Sequence, residues 1–143
     1  MDKGNDRTVA LLSIHPIYAD RLLQGSKCVE LRKTKFKSEV EYVIIYATAP
    51  VKKVVGYFEV DRVVVDSPAA IWQQYRPVAG IEEEDFQTYY QSSSYAVAIE
   101  VGKMFPLSSP LPLSILGEEV RAPQSFRYFS APAVEILADC VSQ

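Results

Sequence analysis

Four apolar stretches rich in β-branched and aromatic residues dominate this chain, and each ends at a proline, a glycine or a polar turn. Such stretches favour β-strands. Helical spacing of apolar residues occurs at 16–25, 67–75, 81–90 and 131–141. Because strands and helices do not alternate regularly, we predict an α+β fold with a mainly antiparallel, curled sheet and short flanking helices. The strand stretches are VALLSI (9–14), EYVIIYATAP (41–50), KKVVGYFEVDRVVV (52–65) and SYAVAIEVGKMF (94–105).

The connections are short, and they are expected to hold the elements in one domain. The length of 143 residues suits a single domain over 1–143, with residues 1–8 as a flexible N-terminus. PLSSPLPLSIL (106–116) is punctuated by prolines and is predicted to be mostly connective, and APQSFRYFS (122–130) to be a loop or a short strand. In the long strand 52–65, Gly56 indicates a bulge or a bend.

The N-terminus is polar, and no apolar run approaches the roughly 20 residues of a membrane helix. We therefore expect a cytoplasmic protein with no membrane contact, and nothing in the sequence indicates an obligate protein partner. Cys28, Cys140 and His15 are too few and too far apart for a zinc site, so we predict no protein-bound metal and free, partly buried thiols.

Charge is distributed unevenly along the chain. The formal net charge is −3, yet residues 27–53 hold seven basic and three acidic side chains, a local charge of +4. An acidic body with one basic segment is typical of a protein that presents a single anion-binding patch, although a solvated lysine-rich loop has the same composition.

Within that segment lies GSKCVELRK (25–33). Strand alternation places Val29 and Leu31 on a core face and puts Glu30 and Arg32 on the other face. Lys27, at the first residue after a glycine turn, is expected to meet Glu30 over the strand end. The three charges would bind an anion and move a proton. From spacing alone, a solvated ion pair worth at most about 1 kcal/mol is the simpler interpretation.

A second candidate set follows the strand 41–50. Tyr46 and Thr48 share a strand face, and Lys52 and Lys53 follow the turn at Pro50. A tyrosine beside a lysine is a potential acid–base pair, and it is also a common arrangement at the edge of a core.

The third set is PQSFRY (123–128). Gln124 and Ser125 supply hydrogen-bonding groups, Phe126 supplies a ring face, and Arg127 adds a cation. Unstacked bases are recognised by such groups, and a loop anchored by its aromatic residues has the same pattern. His15, between a strand and a helix, is kept as a residue at the edge of a site.

Together these segments resemble the ASCH family (activating signal cointegrator homology), which lies in the PUA-like superfamily. The family motif G-x-K-x-x-E-x-R is present as Gly25, Lys27, Glu30 and Arg32. The resemblance extends over YATAP, the helices near 67–75 and 81–90, YAVAIEV and PQSFRY, about residues 9–130. It implies a small β-barrel with flanking short helices and a cleft lined by the motif.

The resemblance also implies RNA or nucleotide-like ligands and two candidate activities. The first is cleavage of single-stranded RNA assisted by a divalent metal ion, for which Tyr46, Lys53 and Ser125 are the closest matches to the catalytic residues. Lys27, Glu30, Arg32, Thr48, Gln124 and Phe126 would then bind the ligand.

The second activity is amide hydrolysis of an N4-acylated cytidine by a lysine, a threonine and a glutamate. Glu30 stands where that mechanism needs its threonine, and Ala79 is near the position of its glutamate. A third alternative is a noncatalytic regulatory module that reads a nucleotide.

Overall fold

Residues 8–142 are described in the computed structural model, and these residues form six strands and four α-helices. Two short 3₁₀ turns, Arg76–Val78 and Leu113–Leu116, complete the regular structure. The strands are β1 (Thr8–Ile14), β2 (Val29–Arg32), β3 (Tyr42–Ala47), β4 (Lys53–Asp66), β5 (Ala96–Leu111) and β6 (Phe126–Ser130). The helices are α1 (Pro16–Gln24), α2 (Pro68–Tyr75), α3 (Glu83–Tyr90) and α4 (Pro132–Ala138).

The strands pair in one sheet in the order β2-β5-β4-β3-β1-β6. Only the β1–β3 pairing is parallel among the strands described, which confirms the predicted α+β class with a mainly antiparallel sheet. The edge strands β2 and β6 are not paired with each other in the part of the chain that the structure describes, so the sheet is open. The barrel implied by the resemblance is therefore not confirmed.

Strands β1 and β3 lie next to each other and are buried on both faces. Leu12 and Ile45 belong to one core, which α1 covers through Ala19 and Leu22. On the opposite face, the core around Leu11 and Ile44 is covered by α4. Burial on both sides explains why these strands read as unbroken apolar runs.

Helix α1 begins and ends where the sequence predicts. Pro16 occupies the first turn, and Gly25 caps the C-terminus with a left-handed φ of 87°. Gly56 lets both α1 and β5 approach β4 closely, because a Cβ there would lie 2.7 Å from the Leu23 Cδ2 atom and 3.0 Å from the Phe105 carbonyl oxygen. The register of β4 against β5 also shifts beside Gly56, which confirms the predicted bulge.

The prediction that 106–116 is mostly connective is wrong for residues 106–111, which belong to β5. Proline is tolerated here because β2 pairs only with residues 97–100 of β5, so the later part of β5 lacks a strand ladder on that side. The C-terminal residues cover part of it, and the Ser142 N–H donates to the Pro106 carbonyl at 2.7 Å.

The chain ends differ in small ways from expectation. The predicted flexible N-terminus lies outside the described residues except for Thr8, which is the first residue of β1. The predicted helix at 131–141 is shorter, since α4 ends at Ala138. No helix within residues 8–142 is long and apolar enough to cross a membrane.

Candidate functional site

The motif residues are brought together by the turn that follows α1. Val29 and Leu31 pack into a third core with α2 and α3, as strand alternation predicts. Lys27, Glu30 and Arg32 instead line an inner cavity of about 200 Å³ between β1, α1, β2 and α3. The other polar or aromatic residues on its wall are Ser13, His15, Tyr18 and Tyr89.

Lys27 is buried although it carries a charged head group. Its side chain is only 3% exposed, and its Nζ donates to the Ala79 carbonyl at 2.6 Å. The Nζ also lies 5.2 Å from the centre of the Tyr18 ring. Burial lowers the pKa of Lys27, Arg21 lowers it further, and the nearby carboxylate of Glu30 opposes this.

The segment that covers Lys27 is held by three consecutive carbonyl groups. The Cys28 N–H donates to the Val78 carbonyl at 2.8 Å, Lys27 donates to Ala79, and Arg21 donates to the Gly80 carbonyl at 2.8 Å. Gly80 has a φ of 62°, and a Cβ there would lie 2.4 Å from Lys27 Cβ. The backbone before α3 is thereby packed directly on the lysine stem.

Glu30 and Arg32 form an ion pair on the neighbouring wall. The Arg32 Nη1 atom lies 3.1 Å from the Glu30 Oε2 atom, and Glu30 is only 5% exposed. Arg32 Nη1 also donates to the Ser13 carbonyl at 3.2 Å. A buried carboxylate thus orients the guanidinium, rather than forming the solvated pair that spacing alone suggested.

Arg32 connects the motif with PQSFRY, which lies more than ninety residues later in the chain. Its Nη2 donates to the Ser125 carbonyl at 3.3 Å, and its guanidinium lies 5.4 Å from the centre of the Phe126 ring. An outer cavity of about 180 Å³ begins at Arg32 and Tyr89, which also line the inner cavity. We call the inner and outer cavities together the cleft; the remaining outer walls are Lys33, Thr34, Gln124, Ser125 and Phe126.

Six of the nine predicted site residues lie in the cleft: Lys27, Glu30, Arg32, Gln124, Ser125 and Phe126. Thr48 follows β3, where its N–H donates to the Ile14 carbonyl at 3.0 Å, beside the strand that borders the inner cavity. His15 lies on the cavity wall, where its Nδ1 accepts from Ile17 N–H and caps α1.

Tyr46 and Lys53 do not join this group. The Tyr46 side chain is 9% exposed and packs in the core around Leu11 and Ile44. Lys53 is exposed and pairs with Ala47, a residue of the opposite core. Because paired residues in a sheet point to the same face, Tyr46 and Lys53 project to opposite faces.

Sequence reasoning did not identify two tyrosines of the cleft. Neither Tyr18, on α1, nor Tyr89, on α3, is among the predicted site residues. Burial raises the pKa of both hydroxyl groups, and the charge of Arg32 offsets part of the rise at Tyr89. Tyr89 is exposed beside the buried Tyr90, and an exposed aromatic residue on a short amphipathic helix was the available signal.

Among the residues that the structure describes, the divalent metal implied by the ribonuclease hypothesis has no evident ligand set. Within residues 8–142, no three histidine, cysteine, aspartate or glutamate side chains converge on one point. Glu30 supplies a carboxylate to the cleft, and Arg32 engages one of its oxygens. We therefore derive no step through a metal held by these residues.

Comparisons with known proteins show which family and which solved structures this chain resembles. The profile of the ASCH domain matches residues 12–105. The ASCH domain-containing ribonuclease of Zymomonas mobilis subsp. mobilis is 29% identical over 143 residues, covering 96% of this chain and 95% of the relative. The crystal structure of ASCH from Zymomonas mobilis superposes with a TM-score of 0.84 at 25% identity, over 94% of this chain and 96% of the other. The structure of a serine-to-alanine mutant of the Zymomonas mobilis protein gives a TM-score of 0.85 at 25% identity, over 96% and 99% of the two chains.

Proposed function

This chain belongs to the ASCH domain family, and we propose that it binds single-stranded RNA in the cleft and cleaves it there. The observation that carries the proposal is the contact of Arg32 with Ser125 and Phe126. It joins the motif to the segment whose composition suits an unstacked base. The relative named as a ribonuclease covers nearly the whole chain, which supports RNA as the ligand.

The cleft suits one nucleotide unit at a time. Its inner cavity of about 200 Å³ is smaller than the roughly 300–1,000 Å³ of pockets for drug-sized ligands, so it suits a base or a sugar. Glu30 would accept a hydrogen bond from that base or sugar, and Lys27 would donate to the adjoining phosphate. Arg32 would face a phosphate, with the rings of Tyr89 and Phe126 available for stacking.

Cleavage of the bound RNA requires groups that act on the phosphate, in addition to those that bind the base or sugar. Ser125 lies in the outer cavity, whereas Tyr46 and Lys53 project to opposite faces of the sheet and line neither cavity. We therefore assign the cleft cations Lys27 and Arg32 to the phosphate of the bond that is cleaved. Any divalent metal would be delivered with the RNA phosphates. The protein would act in the cytoplasm, and cell fractionation checks that location.

Binding is tested with labelled single-stranded RNA at 50 and 200 mM salt. Lys27→Met should weaken binding at least tenfold at 50 mM and lower the salt slope by about 0.7, the value for one phosphate contact on a single strand. Lys103→Met, which removes an exposed lysine on β5, should leave both unchanged. Gln124→Ala changes an exposed residue of the cleft and should weaken binding several-fold without affecting folding. Equal, weak binding by all four proteins would reject the proposal.

Cleavage is tested on the same RNA with magnesium and with a chelator. We expect product strands from the wild-type protein and none from Lys27→Met. Ser125→Ala, Tyr46→Phe and Lys53→Met then test the catalytic residues that the family resemblance implies. Tight binding without products in any buffer would leave a noncatalytic module that reads RNA.

A second candidate is amide hydrolysis of an N4-acylated cytidine. The enclosed Lys27, with its lowered pKa, favours it, because a nucleoside base is small enough for the inner cavity. The carboxylate of Glu30 at the place of the expected hydroxyl stands against it. The test is chromatography of N4-acetylcytidine after incubation with concentrated protein. Absence of the deacylated product would reject amide hydrolysis as the function.

A further inference from the structure

The loop between β2 and β3 carries three exposed lysines beside the cleft. We call residues 33–37 the lysine loop; its cations are Lys33, Lys35 and Lys37. None of them has a carboxylate within ion-pair distance in the described part of the chain, where the ion pairs involve Arg32, Arg62 and Arg127. Cations that form no ion pair remain available to an external anion.

The lysine loop is fixed to the strand that borders the cleft. Phe36 packs with its ring centre 4.7 Å from that of Phe126 and 6.5 Å from that of Tyr128. The Lys37 N–H donates to the Tyr128 hydroxyl at 3.0 Å. Because Phe36 anchors the loop inward, the lysines on either side of it are held in solvent, and a ligand would meet a preformed surface.

Two aromatic rings lie beneath these lysines. The Lys33 Nζ is 4.5 Å from the centre of the Tyr89 ring, and the Lys35 Nζ is 5.7 Å from the centre of the Tyr95 ring. Tyr89 also lines both cavities of the cleft. The cation–ring pairs therefore form a path that starts at the mouth of the cleft and leads onto the loop.

We propose that the RNA strand leaves the cleft along the lysine loop, with Lys33, Lys35 and Lys37 facing successive phosphates and Tyr89 and Tyr95 stacking on outgoing bases. This inference rests on the proposed function and extends it, because it makes single strands longer than the cleft the preferred substrate. A base over a tyrosine ring takes the place of the ammonium group, which is then free to pair with the phosphate.

The experiment compares a nucleoside 5′-monophosphate, a single nucleotide unit of the size that suits the cleft, with a 12-nucleotide single strand. The double variant Lys35→Ala/Lys37→Ala should lower the salt slope for the 12-mer by about 1.4, which is about a sevenfold change in relative affinity between 50 and 200 mM salt. The affinity of this variant for the nucleoside monophosphate should not change. The double variant Lys103→Ala/Arg76→Ala removes the same charge from exposed sites elsewhere and should leave both ligands unaffected.

The outcomes separate this inference from the proposed function. If the 12-mer slope is unchanged in Lys35→Ala/Lys37→Ala while Lys27→Met loses both ligands, the exit path is wrong and the cleft stands. If the control double variant lowers the slope equally, the attraction is nonspecific and the path is again rejected. If neither the nucleoside monophosphate nor the 12-mer binds the wild-type protein, the proposed function itself fails.

Discussion

Tyr75 shows how one buried hydroxyl ties stability to pH. It donates to the carboxylate of Glu100, which also accepts from Arg62 Nε at 2.9 Å. Burial, together with that bond, raises the pKa of Tyr75 from 10.0 to about 12. Between these two values the unfolded chain releases a proton that the folded protein keeps. Stability therefore falls as the pH rises through this window.

Tyr75→Phe removes this hydroxyl group and its hydrogen bond to Glu100. At pH 7 the variant should lose about 1.5–3 kcal/mol of unfolding free energy, because a hydrogen bond to a charged group is removed. That deficit should shrink by up to about 1.4 kcal/mol per pH unit between pH 10 and 12, because the variant no longer has this titration. Urea unfolding followed by Trp72 fluorescence measures the unfolding free energy at each pH.

The control is Arg62→Gln, at a residue whose side chain is 61% exposed. This variant keeps the Tyr75 hydroxyl, so its unfolding free energy should still fall between pH 10 and 12. Parallel curves for wild type and Tyr75→Phe would contradict the assignment.

Lys27 has the opposite dependence on pH. Its pKa is lowered below the ordinary 10.5, so the unfolded chain binds more protons and the cost of burying the cation is relieved as the pH rises toward that value. At neutral pH the buried ammonium group of Lys27 lowers the stability of the fold. A methionine of similar length would remove this cost. The methionine also leaves the Ala79 carbonyl without its donor, which offsets part of this gain. Lys27→Met is therefore expected to keep a melting temperature close to that of the wild type while it loses RNA, a separation typical of functional residues.

Two glycines with left-handed backbones test how the elements around the cleft fit together. Gly25 ends α1 with a φ of 87° and has no atom within 4 Å of an added Cβ. Gly80, before α3, has a φ of 62°, and an added Cβ would overlap the Lys27 stem. Both positions strain an alanine backbone by about 1 kcal/mol, but Gly80→Ala must also displace Lys27.

Gly25→Ala should therefore lower the unfolding free energy by about 1 kcal/mol and leave RNA affinity unchanged. Gly80→Ala should lower it by about 2 kcal/mol or more and weaken RNA binding, because the inner cavity loses the position of its lysine. Thermal melts and RNA titration of the two variants form a matched pair. Equal effects on binding would show that the contact between Gly80 and Lys27 does not shape the cavity.

The elements were predictable wherever a local pattern determines them. Alternation along β2 correctly assigned Val29 and Leu31 to a core and put Glu30 and Arg32 on the other face. The burial of Lys27 was not predictable, because it depends on Ala79 and Gly80, which lie 52 and 53 residues later in the chain. Contacts of this range leave no periodic signal in the sequence.

The orientation of β3 was equally hidden. Ile44 and Tyr46 are two residues apart, so strand alternation puts them on one face, and both lie in the same core. Both faces of β3 are apolar, so the pattern does not indicate which of them is nearer the cleft. The assignment of Tyr46 to the site depended on that choice, and the structure places its ring in the core that α4 covers.

Across the whole molecule, the side chain of Arg32 links the two edges of the open sheet, which no strand pairing joins among the described residues. It belongs to the edge strand β2, yet its guanidinium donates to Ser13 at the end of β1 and to Ser125 just before the other edge strand, β6. The Tyr90 hydroxyl donates to the Arg32 carbonyl at 2.9 Å and links α3 to the same point. A planar guanidinium can reach several acceptors at once, which a lysine ammonium cannot match in geometry.

Arg32→Lys tests whether this closure holds the two edges together. The variant keeps the positive charge but loses the planar set of N–H donors that reaches Glu30, Ser13 and Ser125 together. The unfolding free energy should therefore fall by about 2–3 kcal/mol. Amide hydrogen exchange should accelerate most at 29–32 and 126–130, where the edge strands would open separately from the centre of the sheet. Arg127→Lys, on β6 itself, removes a more exposed guanidinium that lies 3.8 Å from Glu119 and should change stability by less than about 0.5 kcal/mol. If exchange in Arg32→Lys rose uniformly over the sheet, or matched that of Arg127→Lys, the edges would be held by strand pairing alone.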